Sequence, residues 1–512
     1  MNRATRGALC LLMAGTALAM PDIAMAAAAG DGPGAREAVL MERLEKLEAE
    51  LARLRADLAS VHEAQSPVQA MPDQNALARS GTGTGVAPVR TAQANPVPSG
   101  ETKQGSSPQA GDVKALGFHN GNTQVTLSGY VKLLASSAGY SGGDDPTNTL
   151  GRDLYLPQSV PVFNPARPTT PVRVTEFSAK QTRFWVDAST RLGQHDLKAY
   201  IEFDFQAAPG TPMALGQGTQ RTTNAYDLAM RRAFIRFDRW TLGQDFSNFG
   251  MVEALPESTD YVGGVDGIVF VRQPMVRYAL PLGKRLTLNL AAENPETASS
   301  TVGSASMIEN GQDHAPDVSA RLSYAGAGAR LDFSTMIRQL RIDNQPTYTA
   351  SGTLATPHIQ DSRVGWGVNA SGKIFLNASH RSDIRFEATY GDGMGRYLGL
   401  NFAPDTVLMA NGQLGSVRNL GLYGSAHIAL DAKWRINLIG SFQRDYYAHD
   451  IDRSAAGIGT FNQQAWSAAG NVFYSPVKNI DLGVEYRRGN RKLVDGLSGR
   501  VDRIDAAAKY TF

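Results

Sequence analysis

Arginine recurs at alternate positions in Leu228 to Phe237 (LAMRRAFIRF). If that segment is extended, Arg232, Phe234 and Arg236 share one face and Ala233, Ile235 and Phe237 the other. The same parity sets Arg183, Lys198, Arg277, Arg338, Arg385, Arg435, Arg487 and Arg503 opposite apolar faces, together with Asp187, Glu202, Asp204, Asp332, Glu387 and Glu485. A guanidinium is a planar fork that grips a carboxylate in two places and never loses its charge. Such rows need no nucleophile or metal. They suit a wet wall that replaces part of a solute's water and biases the sign of what it admits. In lipid each basic residue would cost about 2–4 kcal/mol at mid-bilayer, so the charged face must look away from the hydrocarbon.

The elements that would carry these residues are strands. Asp238-Arg239 is a tight turn, and Trp240 to Gln244 starts a return strand. Phe246 to Val265 (FSNFGMVEALPESTDYVGGV) then breaks the alternation with Pro256 and Gly263-Gly264, and strand pattern resumes over Val269 to Leu280. Strand, turn, strand, irregular loop, strand predicts a third loop folded inward. Arg183, Arg232, Arg236 and Arg277 flank that loop and are the expected selectivity residues. Glu253, Glu257, Asp260 and Asp266 on the loop are expected to form the facing wall, giving a transverse field. Further hairpins are read at 183–205, 275–294, 319–338, 364–390, 420–442 and 465–486, with short turns. Long joins at 140–175, 207–224, 295–314, 343–361, 392–418 and 446–462 separate them. From about Asn122 to Phe512 this makes sixteen strands, and the unequal joins favour an all-β antiparallel transmembrane barrel over two soluble sandwiches. The last strand, Val501 to Phe512, ends with Tyr510 and Phe512 on one face. That resembles the C-terminal signal read by the machinery that assembles bacterial outer-membrane barrels.

Ahead of this domain (116–512) three segments are expected. Residues 1–26 read as a signal peptide, with Arg3 and Arg6, an apolar core from Leu9 to Met20, and Ala24-Met25-Ala26 for cleavage. Residues 27–62 hold a helix whose seam is Leu40, Leu44, Leu47, Leu51, Leu54, Leu58 and Val61, spaced 4-3-4-3-4-3 as in a coiled coil. Residues 63–115 are rich in Pro, Gln, Ala, Ser and Gly and read as a disordered linker, spanning roughly 40 Å as a flexible coil. With an even strand count both ends of the barrel, and so the coiled coil, are expected on the periplasmic side.

Composition narrows the functional classes. The formal charge of +2 makes no electrostatic case for nucleic acid. The single cysteine, Cys10, lies in the leader, leaving no thiolate for metal or nucleophilic chemistry. A barrel hydrolase would need His and Ser on the outer wall, whereas His427 points inward by parity. Gly391-Asp-Gly-Met-Gly395 lacks the Lys-Ser/Thr pair of a phosphate loop. No enzyme, cofactor or metal is expected.

Several stretches together resemble the DcaP-like outer-membrane porins. They are Leu127-Ser-Gly-Tyr-Val-Lys132, Gln181-Thr-Arg-Phe184, Leu242-Gly-Gln-Asp-Phe-Ser-Asn248, Ala254-Leu-Pro-Glu257 and Val269-Phe-Val-Arg-Gln-Pro-Met-Val-Arg-Tyr278. The resemblance implies a sixteen-stranded barrel, a homotrimer joined through the leucine seam, and diffusion of small organic anions such as dicarboxylates. Outer-membrane lipid and lipopolysaccharide would be its surroundings. An alternative keeps the coiled coil as an envelope anchor, with transport incidental.

Overall fold

The computed structural model describes residues 116–512 apart from 147–149, 167, 207–225, 312, 350, 450, 452–454 and 456. The expected signal peptide, leucine seam and linker lie outside the described residues.

Sixteen wall strands close an antiparallel barrel. They are β1 (Thr123–Tyr140), β2 (Val172–Ser178, continued as Arg183–Leu192), β3 (His195–Asp204), β4 (Ala229–Phe237), β5 (Trp240–Phe246), β6 (Arg272–Pro281), β7 (Leu286–Glu293) and β8 (Asp317–Ala325). The circuit continues with β9 (Ala329–Asn344), β10 (Ile359–Phe375), β11 (Asp383–Asp392), β12 (Leu414–Ala429), β13 (Trp434–Tyr447), β14 (Asn462–Tyr474), β15 (Ile480–Leu493) and β16 (Ser498–Thr511). Closure is between β16 and β1, from Tyr130↔Thr511 to Tyr140↔Val501. Closure leaves the wall without a free edge, which hydrocarbon would not tolerate. Below the end of β16 a lead strand, Leu116–Asn120, pairs with the same edge of β1.

Burial follows the alternation. Outward-facing Val364, Ile337 and Leu438 are 71%, 63% and 58% exposed, while inward-facing Arg338 and Arg487 are 1% and 0% exposed. Trp240 with Tyr278 and Trp434 with Tyr474 pack as tilted pairs on the outer face near the short-turn end, and Trp366 meets Tyr390 edge-to-face near the other. These are the amphipathic rings expected where a barrel wall meets headgroups. One end carries turns such as Gly193-Gln194 and Asp238-Arg239; the other carries the long connections.

Three details depart from simple alternation. The strand expected from Val269 begins at Arg272, because Val269 forms a bridge to Leu398 instead. The last long-end join, 494–497, is short. Between β3 and β4 the register jumps from Glu202↔Arg232 to Phe203↔Met230. This bulge leaves Arg231 without a cross-strand partner and turns its side chain to the inner face.

The hydrophobic interior is built from loops inside the barrel. Leu154, Tyr155, Leu156 and Val160 of the first long loop pack with Leu255, Val262, Val265 and Ile268 of the third. At the long-loop end Ser299–Thr301 runs parallel to Thr406–Leu408, which joins β12, so the fourth and sixth loops share a small sheet.

Candidate functional site

The inner faces of β2 to β6 hold one continuous charged row. Arg183 donates to Glu202 at 2.9 Å and to Asp204 at 2.7 Å. Arg232 meets Asp245 at 2.7 Å and Glu202 at 3.5 Å, and Arg277 reaches Asp245 at 2.9 Å. The bulge residue Arg231 pairs with Asp204 at 2.6 Å. Arg272 lies between the Phe246 and Phe270 rings, 4.4 and 4.7 Å from their centroids. Among the described residues, five guanidiniums thus gather around the carboxylates of Glu202, Asp204 and Asp245. Aromatic faces hold several of them in place: Arg232 lies 4.8 Å from the Tyr200 ring and 5.2 Å from the Phe234 ring. Next on β4, half-buried Arg236 has no carboxylate within bridging distance among the described residues and lies 5.8 Å from Phe234. Lys198 beside it on β3 pairs with Asp187 at 2.5 Å.

The third loop, residues 247–271, lies inside the barrel against the opposite wall. Its tip is clamped by Arg435 of β13, whose Nε donates to both Glu257 oxygens at 2.9 Å and whose Nη2 donates to Oε1 at 2.7 Å. Asn437 Nδ2 adds a bond at 3.2 Å, and His427 Nδ1 lies 3.4 Å away. Burial alone would raise the Glu257 carboxyl; bonds from His427 and Arg435 outweigh it and hold it well below the usual carboxylate range. Lys132 Nζ donates to the Thr259 carbonyl at 2.6 Å, and Arg385 Nη1 to the Leu255 carbonyl at 2.6 Å. Arg385 also pairs with Asp383 at 2.6 Å. The backbone itself touches the wall at Gly267, which has φ 74°; a Cβ on Gly421 of β12 would sit 2.2 Å from the Gly267 carbonyl oxygen. Only paired glycines allow that approach.

The four loop acids therefore have partners other than the β2–β6 row. Glu257 is clamped as described. Asp260 accepts from the Tyr155 and Tyr261 amides at 2.8 and 2.6 Å. Asp266 accepts from Tyr155 Oη at 2.9 Å and Ser441 Oγ at 2.7 Å, and burial pushes its carboxyl up. Glu253 lies 3.3 Å from Arg330. Besides Phe270, which packs on Arg272, Tyr261 of the loop reaches the arginine row. Its hydroxyl donates to Asp204 at 2.9 Å, and its ring lies 5.0 Å from Arg183 and 5.4 Å from Arg231. Arg338 is remote from this place. It forms ion pairs with Asp317 and Asp405 at 3.3 and 3.0 Å and donates to the Gly393 carbonyl at 2.8 Å, pinning the sixth loop to the wall. At the C-terminus Tyr510 is 50% exposed, and the Phe512 amide and carbonyl exchange bonds with Gly129.

Sequence parity could not find Arg231, because a bulge is invisible to it, nor Tyr155 and Tyr261, which sit on loops. The run Leu154-Tyr155-Leu156 was a signal: three large apolar residues in a supposedly external loop need something to bury them.

Residues 158–512 match the DcaP outer membrane protein family. The chain belongs to that family. Among solved structures the outer membrane channel DcaP of Acinetobacter baumannii has TM-score 0.57 and 22% identity, covering 77% of this chain and 99% of that chain. OmpT of Vibrio cholerae has TM-score 0.45 and 10% identity over 78% of this chain and 100% of that one. The anion-selective porin from Comamonas acidovorans has TM-score 0.44 and 10% identity over 76% and 100%. Curated protein sequences give no match. The family and the closed barrel make this DcaP-family protein an outer-membrane channel-type protein rather than one of an enzyme fold. Outer-membrane barrels keep short turns on the periplasmic side, which orients the long loops outward.

Proposed function

We propose that this DcaP-family barrel lets small hydrophilic solutes diffuse passively across the outer membrane and favours organic anions, dicarboxylates among them. The observation that supports this is the concentration of guanidiniums on the inner faces of β2 to β6, with half-buried Arg236 beside them and no carboxylate within bridging distance of it among the described residues. A carboxylate passing the row meets fixed, planar donors, and a second carboxylate on the same molecule can engage the next arginine. Arg183, Arg232, Arg236 and Arg277 carry the preference. The loop acids serve mainly to hold the third loop, with Tyr261 among its contacts to the row.

In this reading the protein works as a homotrimer in lipopolysaccharide-containing membrane. The seam from Leu40 to Val61 gathers the protomers on the periplasmic side, and Tyr510 and Phe512 are read during assembly. Reversal potential in a planar bilayer under a salt gradient tests it. Anion preference supports the arginine row, cation preference would overturn it, and a protein that conducts nothing would turn attention to anchoring through residues 27–115.

A further inference from the structure

The first long loop is not wholly external. Its segment from Leu150 to Val160 descends into the barrel, where Leu154 and Tyr155 are each 2% exposed and Val160 1%. The β15–β16 wall binds its backbone: Arg503 Nη2 donates to the Asp153 carbonyl at 2.9 Å and Arg491 Nη1 to the Val160 carbonyl at 3.0 Å. On the other flank Lys180 Nζ and Gln206 Nε2 reach the Asp153 carboxylate at 2.8 and 3.0 Å. Two backbone carbonyls met by guanidiniums of β15 and β16, with Lys180 and Gln206 holding the Asp153 carboxylate on the other flank, make the segment a built part of the lumen.

Tyr155 is the joint between this segment and the third loop. Its amide donates to Asp260 and its hydroxyl to Asp266, so one residue engages two carboxylates of the neighbouring loop. Its ring lies 5.2 Å from the Arg487 guanidinium. Gln158 Nε2 donates to the Leu400 carbonyl of the sixth loop at 2.9 Å. The segment thus crosses in front of Arg487 and Arg503, which are 0% and 1% exposed. A passing solute is screened from those two arginines.

We infer that the Leu150–Val160 segment is a second constriction, a strap that sets the size limit of the pathway, and that Tyr155 is its positioning residue. This rests on the channel reading but not on its anion preference, and neutral sugars separate the two. In vesicles holding the purified full chain, the swelling rates with arabinose and with maltotriose report the size limit. Tyr155→Ala should raise single-channel conductance and bring the two rates closer together. Tyr155→Phe keeps the ring and the amide bond to Asp260 and should fall between that variant and the parent. A role confined to stability would lower the unfolding temperature and leave the sugar ratio where it was, which would overturn the inference.

Gln158→Cys supplies a second measurement that does not need the strap released. The chain's only other cysteine is Cys10. Thiol reagents of increasing size should block conductance in steps, whereas unchanged conductance after complete labelling would place the strap outside the solute's path and overturn the inference. If the parent admits no arabinose, the channel reading fails and takes the strap with it.

Discussion

Replacing Glu257 by Gln tests how the third loop is held. The amide keeps the shape and one acceptor but removes the charge opposite Arg435, where both side chains are nearly buried, at 8% and 5%. Breaking a buried ion pair from one side costs about 3–5 kcal/mol, because it strands a charge. Here Arg435 keeps Asp481 at 3.0 Å and Ser475 at 2.6 Å, so the lower end applies, about 3 kcal/mol. If local opening of the loop tip bears that cost, its equilibrium shifts roughly a hundredfold, at tenfold per 1.4 kcal/mol. The Thr259 amide, bonded to Glu485 Oε2 at 3.2 Å, is the reporter two residues away. Its hydrogen exchange should speed up by about two orders of magnitude, provided exchange follows the opening equilibrium. Thr259 protection equal to the parent's, in a folded barrel, would refute the clamp. The remaining loop anchors would then hold the tip unaided.

Other outcomes follow from the same geometry. Neutralising Arg232 and Arg236 together should shift the reversal potential toward cations; unchanged selectivity would remove them from the pathway. Gly421→Ala should push Gly267 off the wall at a cost of about 1–3 kcal/mol for overpacking, read as a lower unfolding temperature. Because the Glu257 carboxyl is held below its ordinary value, the clamp's contribution is complete above that value and is lost only as pH falls through the depressed one. Thr259 protection should therefore be the same at pH 7 and pH 5. On the outer face, Leu422→Arg should cost about 2–4 kcal/mol of folding free energy in lipid vesicles, as a charge placed in hydrocarbon. An unaffected barrel would mean that this face is covered by protein.

The wall was legible in the sequence because alternation is enforced everywhere by lipid on one side and water or polar loops on the other. A one-residue error would place Arg338 and Arg487 in hydrocarbon, so the register shows in the residue types. The interior was less legible. Glu257, Asp260 and Asp266 could be assigned to the third loop, yet only tertiary structure decides whether they face the arginine row or the wall behind. Arg231 was set on the wrong parity by one extra residue between Arg232 and Met230. The first loop resembled any polar connection except for Leu154-Tyr155-Leu156, whose burial depends on a partner more than a hundred residues away.

The lead strand has a mechanical meaning. Leu116–Asn120 holds β1 by five register pairs, from Leu116↔Leu127 to Asn120↔Thr123. The barrel seam above it is a separate set of eleven pairs between β1 and β16. Tension on the chain ahead of Leu116 falls first on the short set, which can peel one pair at a time toward the Gly121-Asn122 turn. The long set stays loaded only through β1, so the lead strand acts as a sacrificial coupling. A pull on the chain at Leu116 would free a few residues before it strained the wall.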